Sequence, residues 1–173
     1  MNIVLIGYRG TGKSEVGKIL ASRLKMNCVG MDAEIERRGG MSIPEIVTKC
    51  GWPGFRDMES AVACDLADQD GLIIDTGGGV IERSENIAFL KKTAVIFWLR
   101  ASVDVIVSRI SDSTVRPALT IGKTFTEEVA EVLERRTPLY RSAADHEIDT
   151  DVLTPEAVAE LIIKWFGEGF LKH

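Results

Sequence analysis

The chain has 173 residues, 45% of them apolar, so it can bury an ordinary core; a disordered segment and a disulfide-stapled miniprotein are excluded. It carries 21 lysines and arginines against 26 aspartates and glutamates, so the net charge is −5 and a broad nucleic-acid-binding face is not expected. Small anions are not excluded, because a local cluster of donors can bind them whatever the overall charge.

The first predicted element is a strand at residues 3–6, an apolar β-branched run without the alternation of a half-exposed strand. It leads into Gly7-Tyr8-Arg9-Gly10-Thr11-Gly12-Lys13-Ser14, which matches the phosphate-binding pattern GxxxxGKS/T and precedes a predicted helix. In such a P-loop, backbone N–H groups bind phosphates, the lysine reaches the terminal phosphates and the serine hydroxyl ligates Mg²⁺. The pattern predicts that the chain binds a nucleoside triphosphate together with Mg²⁺. It does not constrain Tyr8 and Arg9, which are free to face solvent.

Polar clusters further along the chain indicate where a second substrate, the acceptor of a phosphoryl group, would bind. The reason is that open α/β sheets bind ligands at strand ends. Asp32 follows a short apolar stretch, where a carboxylate can accept the proton of an attacking hydroxyl or can simply cap a helix. Arg56 and Glu59 lie one helical turn apart, so the acid can hold the guanidinium in place, although such pairs are common on surfaces. Gly77-Gly78-Gly79 follow a predicted strand at 72–74, where a ligand can approach the backbone closely.

The second half of the chain continues the alternation of strands and helices. Residues 94–99 predict a third buried strand, and Arg135 to Arg141 lie in a long helical window. Residues 111–124 are rich in polar and turn-forming residues, and a loop of this length inside a compact domain is usually functional. Arg116 and Lys123 lie where a lid over phosphates would need them; a plain surface connection is the alternative.

Helix signals complete the pattern. Ser42 resembles the start of a capping box, and Thr154 is a predicted N-cap before a helix with apolar residues at helical spacing. We therefore predict one α/β domain over 1–173, a three-layer α/β/α arrangement of P-loop NTPase type with a central parallel sheet. A lid at about 111–124 and an acceptor-binding region at about 32–60 belong to this domain.

The class of nucleotide-binding protein follows from what the sequence lacks. The guanine-reading Asn-Lys-x-Asp of GTPases and the Leu-Ser-Gly-Gly-Gln of transport ATPases are both absent. A chain of 173 residues also leaves little room for a large acceptor. We interpret the chain as a compact P-loop kinase of small molecules.

The order and spacing of these clusters resemble the shikimate kinase family, and the likeness runs from the P-loop to Asp149. The segments that carry it, besides the P-loop, are Asp32-x-x-Ile35-Glu36, Gly51-Trp52-Pro53-Gly54-Phe55-Arg56 with Glu59, Gly77-Gly78-Gly79, Arg116-Pro117, and Arg136 with Pro138-Leu139-Tyr140-Arg141. The resemblance implies ATP-dependent phosphorylation of the 3-hydroxyl of shikimate.

The resemblance also implies roles for individual residues. ATP would be bound by Gly10, Thr11, Gly12, Lys13, Ser14 and Glu15, with Arg109 against adenine and Arg116 as a lid arginine. Shikimate would be bound by Asp32, Arg56, Gly78, Gly79 and Arg136, with the arginines on its carboxylate. Asp32 would activate the attacking hydroxyl, and Lys13 and Arg116 would complete the catalytic set.

One position departs from the family. Shikimate kinases usually carry Asp-x-Asp where this chain has Gly30-Met31-Asp32, so the first carboxylate, which takes part in water-mediated Mg²⁺ binding, is missing. Asp75 lies two residues before the glycines, where P-loop enzymes generally keep a metal-directed aspartate. We expect Asp75 to take over the metal role beside Ser14. Alternatively, Ser14, phosphates and water suffice for the ion and Asp75 caps a turn.

Two other functions stay open from the sequence: a kinase for another small hydroxy acid such as gluconate, and a nucleotide-binding regulatory paralogue, which only Gly30 favours. Cys28, Cys50 and Cys64 form no Cys-x-x-Cys pair, which predicts free thiols in a reducing compartment and no zinc site. The first apolar stretch is too short for a signal peptide, and no run reaches the roughly 18 apolar residues of a membrane helix. We expect a cytoplasmic monomer without membrane or nucleic-acid partners.

Overall fold

The computed structural model describes residues 1–110 and 124–170 and contains a five-stranded parallel sheet. The strands are β1 Asn2–Ile6, β2 Asn27–Gly30, β3 Leu72–Asp75, β4 Ala94–Arg100 and β5 His146–Asp149. Their order in the sheet is β2-β3-β1-β4-β5. The three buried strands predicted from the sequence are confirmed as β1, β3 and β4. β2 and β5 were not predicted as strands, because β2 has only a two-residue apolar stretch and three of the four residues of β5 are polar or charged.

Helices connect the strands and cover both faces of the sheet, which confirms the predicted three-layer α/β/α fold. They are α1 Lys13–Leu24, α2 Met31–Gly39, α3 Ile43–Ala67, α4 Ser84–Leu90, α5 Val103–Ile110, α6 Phe125–Ala143 and α7 Pro155–Phe170, with a 3-10 turn at Val80–Glu82. Among the described residues, none of these helices is long and apolar enough to cross a membrane.

The two faces of the sheet follow from the alternation of side chains along β1. Ile3 and Leu5 pack with α1 and α7, whereas Val4 and Ile6 pack with α2, α3, α4 and α6. Every residue of β1 is buried, because the strand lies in the middle of the sheet with helices on either side. This explains why the strand reads as a continuous apolar run.

Local signals set where several helices begin. Ser42 and Glu45 form the predicted capping box of α3, and Thr154 accepts the backbone N–H of Ala157 at 3.2 Å at the start of α7. α3 bends at Gly51, whose φ of +69° lies in the left-handed region that glycine adopts readily. The bend separates the start of α3 from its second half, which carries Arg56 and Glu59.

The parallel arrangement brings three chain segments to one edge of the sheet. The carboxyl ends of β2, β3 and β1 lie side by side, and Asp75 is the register partner of Gly30 on one side and of Leu5 on the other. The P-loop after β1, Asp32 after β2 and the glycines after β3 therefore become neighbours.

Candidate active site

The P-loop between β1 and α1 wraps around the side chain of Lys13. The Lys13 ammonium group donates to the carbonyl oxygens of Gly7 at 2.8 Å and Tyr8 at 3.0 Å. Gly10 and Gly12 have φ values of +80° and +93°, which other residues adopt only with strain. The loop thus leads directly into the N-terminus of α1, where backbone N–H groups can bind phosphate.

A hydroxyl and a carboxylate meet in the cleft beside the P-loop, which we call the phosphate cleft. The Ser14 hydroxyl hydrogen-bonds Asp75, which ends β3, and Gly30 lines the same cleft. A Cβ atom built on Gly30 would have only the Cβ of Ala33 within 4 Å, at 3.9 Å, so the missing carboxylate leaves open space. In the part of the chain that the structure describes, no three His, Cys, Asp or Glu side chains cluster as a metal site.

A second groove runs from the P-loop towards α5 and the segment after β5. Arg109 donates to the carbonyl oxygen of Gly10 at 3.2 Å and to the Thr150 hydroxyl and carbonyl oxygens at 3.2 and 2.9 Å. The structure brings together the sequence-predicted ATP residues Gly10, Thr11, Gly12, Glu15 and Arg109 on the walls of this groove. Thr150 and Leu153, which also line it, were not found from the sequence.

The third cleft, on the other side of the phosphate cleft, contains the predicted acceptor residues Asp32, Arg56, Gly78, Gly79 and Arg136. Trp52, Phe55 and Ile43 form its apolar wall. The Arg56 guanidinium donates to Glu59 at 2.7 Å, as their helical spacing predicted. Burial raises the pKa of Glu59, and the charge of Arg56 opposes that effect.

The three glycines after β3 provide the space for these groups. A Cβ at Gly77 would lie 2.8 Å from Oδ1 of Asp32, and a Cβ at Gly79 would lie 2.1 Å from Nη2 of Arg56. At Gly78 the nearest side-chain atom would be Nη1 of Arg136, at 3.6 Å. None of the three has a left-handed backbone, so at Gly77 and Gly79 close approach rather than backbone conformation favours glycine.

Two residues support the acceptor cleft through contacts that the sequence did not predict, and of these only Tyr140 belongs to a motif named above. Glu82, in the 3-10 turn after the glycines, accepts from Nε of Arg136 at 2.7 Å and from Arg135 at 3.0 Å. The Tyr140 hydroxyl donates to the carbonyl oxygen of Gly78. Burial alone would raise the pKa of Glu82, but the hydrogen bond and charge of Arg136 bring that pKa below its ordinary value. Only the fold brings α6 against this turn, so local patterns carry no signal for either residue.

Tyr8 and Arg9, which the P-loop pattern leaves free to face solvent, differ in the structure: Tyr8 is buried and Arg9 is partly exposed. Tyr8 is 2% exposed, because it packs with Ile106, Ile110 and Val129 between α5 and α6. Arg9 is half-buried and lies against the ring of Phe125. Arg116 and residues 111–123 of the predicted lid lie outside the described residues, and Thr124 is the N-cap of α6.

The fold and the three adjoining clefts define a P-loop kinase that acts on a small molecule. A family model described as shikimate kinase matches residues 9–166. A shikimate kinase from Thermodesulfovibrio yellowstonii is 48% identical over 94% of this chain and 93% of its own length, and one from Nitratidesulfovibrio vulgaris is 41% identical over 86% of each chain.

Solved structures agree with these sequence matches. The structure of shikimate kinase from Acinetobacter baumannii in complex with shikimate superposes with a TM-score of 0.91 at 33% identity, covering 97% of this chain and 93% of the other. The chain belongs to the shikimate kinase family.

We predict that Glu82→Gln makes stability less dependent on pH in the acid range. The lowered pKa of Glu82 means that its ion pair stabilises the fold above the ordinary carboxyl range, and that this contribution is lost as the pH falls through the lowered pKa. At neutral pH the melting temperature should fall by about 2–4 °C.

Thermal melts from about pH 7 down to pH 3 measure this difference. The exposed Glu85 in the first turn of α4 provides the matched control, Glu85→Gln. If the melting temperatures of wild type and Glu82→Gln differed by the same amount at both ends of the pH range, the stabilising role of the Glu82 ion pair would be contradicted.

Proposed function

We propose that the chain transfers the γ-phosphoryl group of ATP to the 3-hydroxyl of shikimate, giving ADP and shikimate 3-phosphate. One observation supports this proposal above all: Asp32, Arg56 and Arg136 converge on the three glycines after β3, beside the phosphate cleft. Membership of the shikimate kinase family supports it, as does the match to a structure that contains shikimate.

The acceptor cleft suits a small hydroxylated carboxylic acid. Arg56 and Arg136 would bind the carboxylate, since a planar guanidinium can donate two parallel hydrogen bonds to it. Glu59 and Glu82 hold the two guanidinium groups from behind, so they are oriented before the acceptor arrives. The backbone of Gly78 and Gly79 lies alongside and has no side chain that would exclude the ring.

The carboxylate that would act as the base lies where the acceptor and phosphate clefts meet. Asp32 lines both clefts, so its carboxylate would take the proton of the attacking hydroxyl. Lys13, fixed by the P-loop carbonyls, would stabilise the negative charge of the phosphates during transfer. Arg109 would lie against adenine, and the predicted lid would bring Arg116 over the phosphates and exclude water.

Ser14 and Asp75 are the residues that would hold Mg²⁺. Their hydrogen bond places a hydroxyl oxygen and a carboxylate oxygen together in the phosphate cleft, and both are the hard oxygen donors that this ion prefers. When bound, Mg²⁺ neutralises charge on the β- and γ-phosphates. Asp75 would orient the waters of the ion in place of the carboxylate that Gly30 lacks.

We also infer that the protein acts in the cytoplasm as a monomer. Its three cysteines are free thiols, which fits a reducing compartment that supplies ATP. The acceptor and phosphate clefts adjoin each other within a single copy of the chain, which fits a monomer.

A coupled assay of ADP release tests the proposed function. We expect ADP release with ATP, Mg²⁺ and shikimate, and none above background with gluconate or without an acceptor. Lys13→Ala, purified in the same way, reports any contaminating kinase, because losing this charge removes stabilisation of the phosphoryl group in transfer. Comparable rates with gluconate, or without acceptor, would contradict the assignment.

The metal role of Asp75 predicts a change in the Mg²⁺ requirement. Asp75→Ala should raise the Mg²⁺ concentration for half-maximal rate by roughly 10- to 100-fold, the usual loss when a residue that orients metal ligands is removed. Because there is open space at Gly30, the double variant Gly30→Asp/Asp75→Ala should recover part of this loss. Mg²⁺ titrations of the initial rate measure all three proteins. An unchanged requirement in Asp75→Ala would leave Ser14 as the only protein group assigned to the ion.

A further inference from the structure

Arg9 lies at the junction of the phosphate and acceptor clefts. Four residues line both clefts: Arg9, Asp32, Gly77 and Gly78. Lys13 lines the phosphate cleft alone, whereas Arg56 lines the acceptor cleft alone. Among the described residues that line either cleft, Arg9 is therefore the cation shared by the two.

The Arg9 guanidinium is held by aromatic rings. Its central carbon lies 5.4 Å from the ring centroid of Phe125, the first residue of α6, and 6.0 Å from that of Tyr8. These ring contacts are cation–π contacts rather than hydrogen bonds, and a guanidinium has five N–H groups with which it can donate to a ligand. The backbone of Arg9 also lies near the glycines, since its nitrogen would be 3.5 Å from a Cβ at Gly78.

The charge of Arg9 has no counter-ion in the part of the protein that the structure describes. No carboxylate there forms an ion pair with Arg9, whereas Arg56 is paired with Glu59 and Arg136 with Glu82. The two paired arginines are thus neutralised before the acceptor carboxylate binds. Arg9 adds a positive charge that forms no ion pair with a described residue, at the place that a transferred phosphoryl group must cross.

We propose that Arg9 is a further catalytic residue, which binds the phosphoryl group as it passes from ATP to the acceptor hydroxyl and then as part of the product. This inference rests on the proposed function. The bond from the acceptor oxygen to the γ-phosphorus forms while the bond from that phosphorus to the β-phosphate oxygen breaks. The hydroxyl proton goes to Asp32, and ADP leaves with the electron pair. Arg9 donates hydrogen bonds to the non-bridging oxygens and exchanges no proton.

The chemistry of the transfer explains why a second cation is useful. In the transition state negative charge spreads over the three equatorial oxygens of the phosphoryl group. Lys13 is bound to the carbonyl oxygens of Gly7 and Tyr8 on the nucleotide side. Arg9 reaches the acceptor side as well, and its planar fork matches phosphate oxygens better than a point charge does.

The test compares Arg9→Met and Arg9→Lys with wild type. Methionine keeps an unbranched chain against Phe125 and removes the charge, whereas lysine keeps the charge. Arg9→Met should lower kcat by about 100- to 1,000-fold, the usual effect of losing one donor to a developing charge. KM values for ATP and shikimate should stay within about threefold, and Arg9→Lys should recover part of kcat. Arg23→Met, on the exposed part of α1, is the matched control and should behave as wild type.

Binding of the product separates a catalytic from a structural role. Titration calorimetry should show that Arg9→Met lowers the affinity for shikimate 3-phosphate by at least about tenfold and leaves the affinity for shikimate unchanged. The two compounds differ because only the product carries the phosphoryl group. A kcat within about twofold of wild type, or an equal loss of affinity for both compounds, would overturn the proposal. The wild-type rate with shikimate reports separately on the proposed function, because the role of Arg9 depends only on ratios between variant and wild type.

Discussion

The acceptor cleft depends on three consecutive residues without side chains at the end of β3. The position that a Cβ of Gly77 would take is crowded by the carboxylate of Asp32, and that of Gly79 falls among the guanidinium atoms of Arg56. An arrangement of this kind cannot be built with any other residue unless a functional group moves. Glycine at these two positions loses more entropy on folding than other residues would, but it allows charged groups from α2 and α3 to approach the backbone closely.

The same cleft shows how an acidic protein can keep two arginines together in one place. Each acceptor-site arginine is paired with a carboxylate from behind, Arg56 with Glu59 and Arg136 with Glu82. The side chain of Glu59 is 1% exposed and that of Arg136 is 6% exposed, so neither charge is well solvated and each needs its partner. Such pairs fix the guanidinium groups in place. The net charge of the whole chain has little influence on a group in direct contact with them, because charges farther away are screened.

The features that could be predicted from the sequence depend on residues close together in the chain. The features that could not be predicted depend on residues far apart in the chain. The P-loop, the capping box at Ser42 and the pair Arg56–Glu59 are set by residues close together in the chain, so their spacing was informative. The contact between Arg136 and Glu82 joins residues 54 positions apart, and that between Arg109 and Thr150 joins residues 41 apart.

Contacts over such distances depend on how helices pack on the sheet, which no local pattern encodes. The burial of Tyr8 has the same origin, because its ring is covered by α5 and α6 rather than by neighbours in the P-loop. Asp75 is an intermediate case. Its position before the glycines indicated a role at the strand end, but only the sheet register places it beside Gly30.

The affinity of Gly79→Ala for shikimate measures whether the three glycines make room for the acceptor and its arginines. The added methyl group would displace the flexible end of Arg56 without strain in the backbone, so the fold should be kept. Gly167→Ala, with open space around it in α7, is the control. Titration calorimetry should show shikimate affinity reduced by at least about tenfold in Gly79→Ala, with ATP affinity unchanged in both variants. Unchanged shikimate affinity in Gly79→Ala would contradict the account.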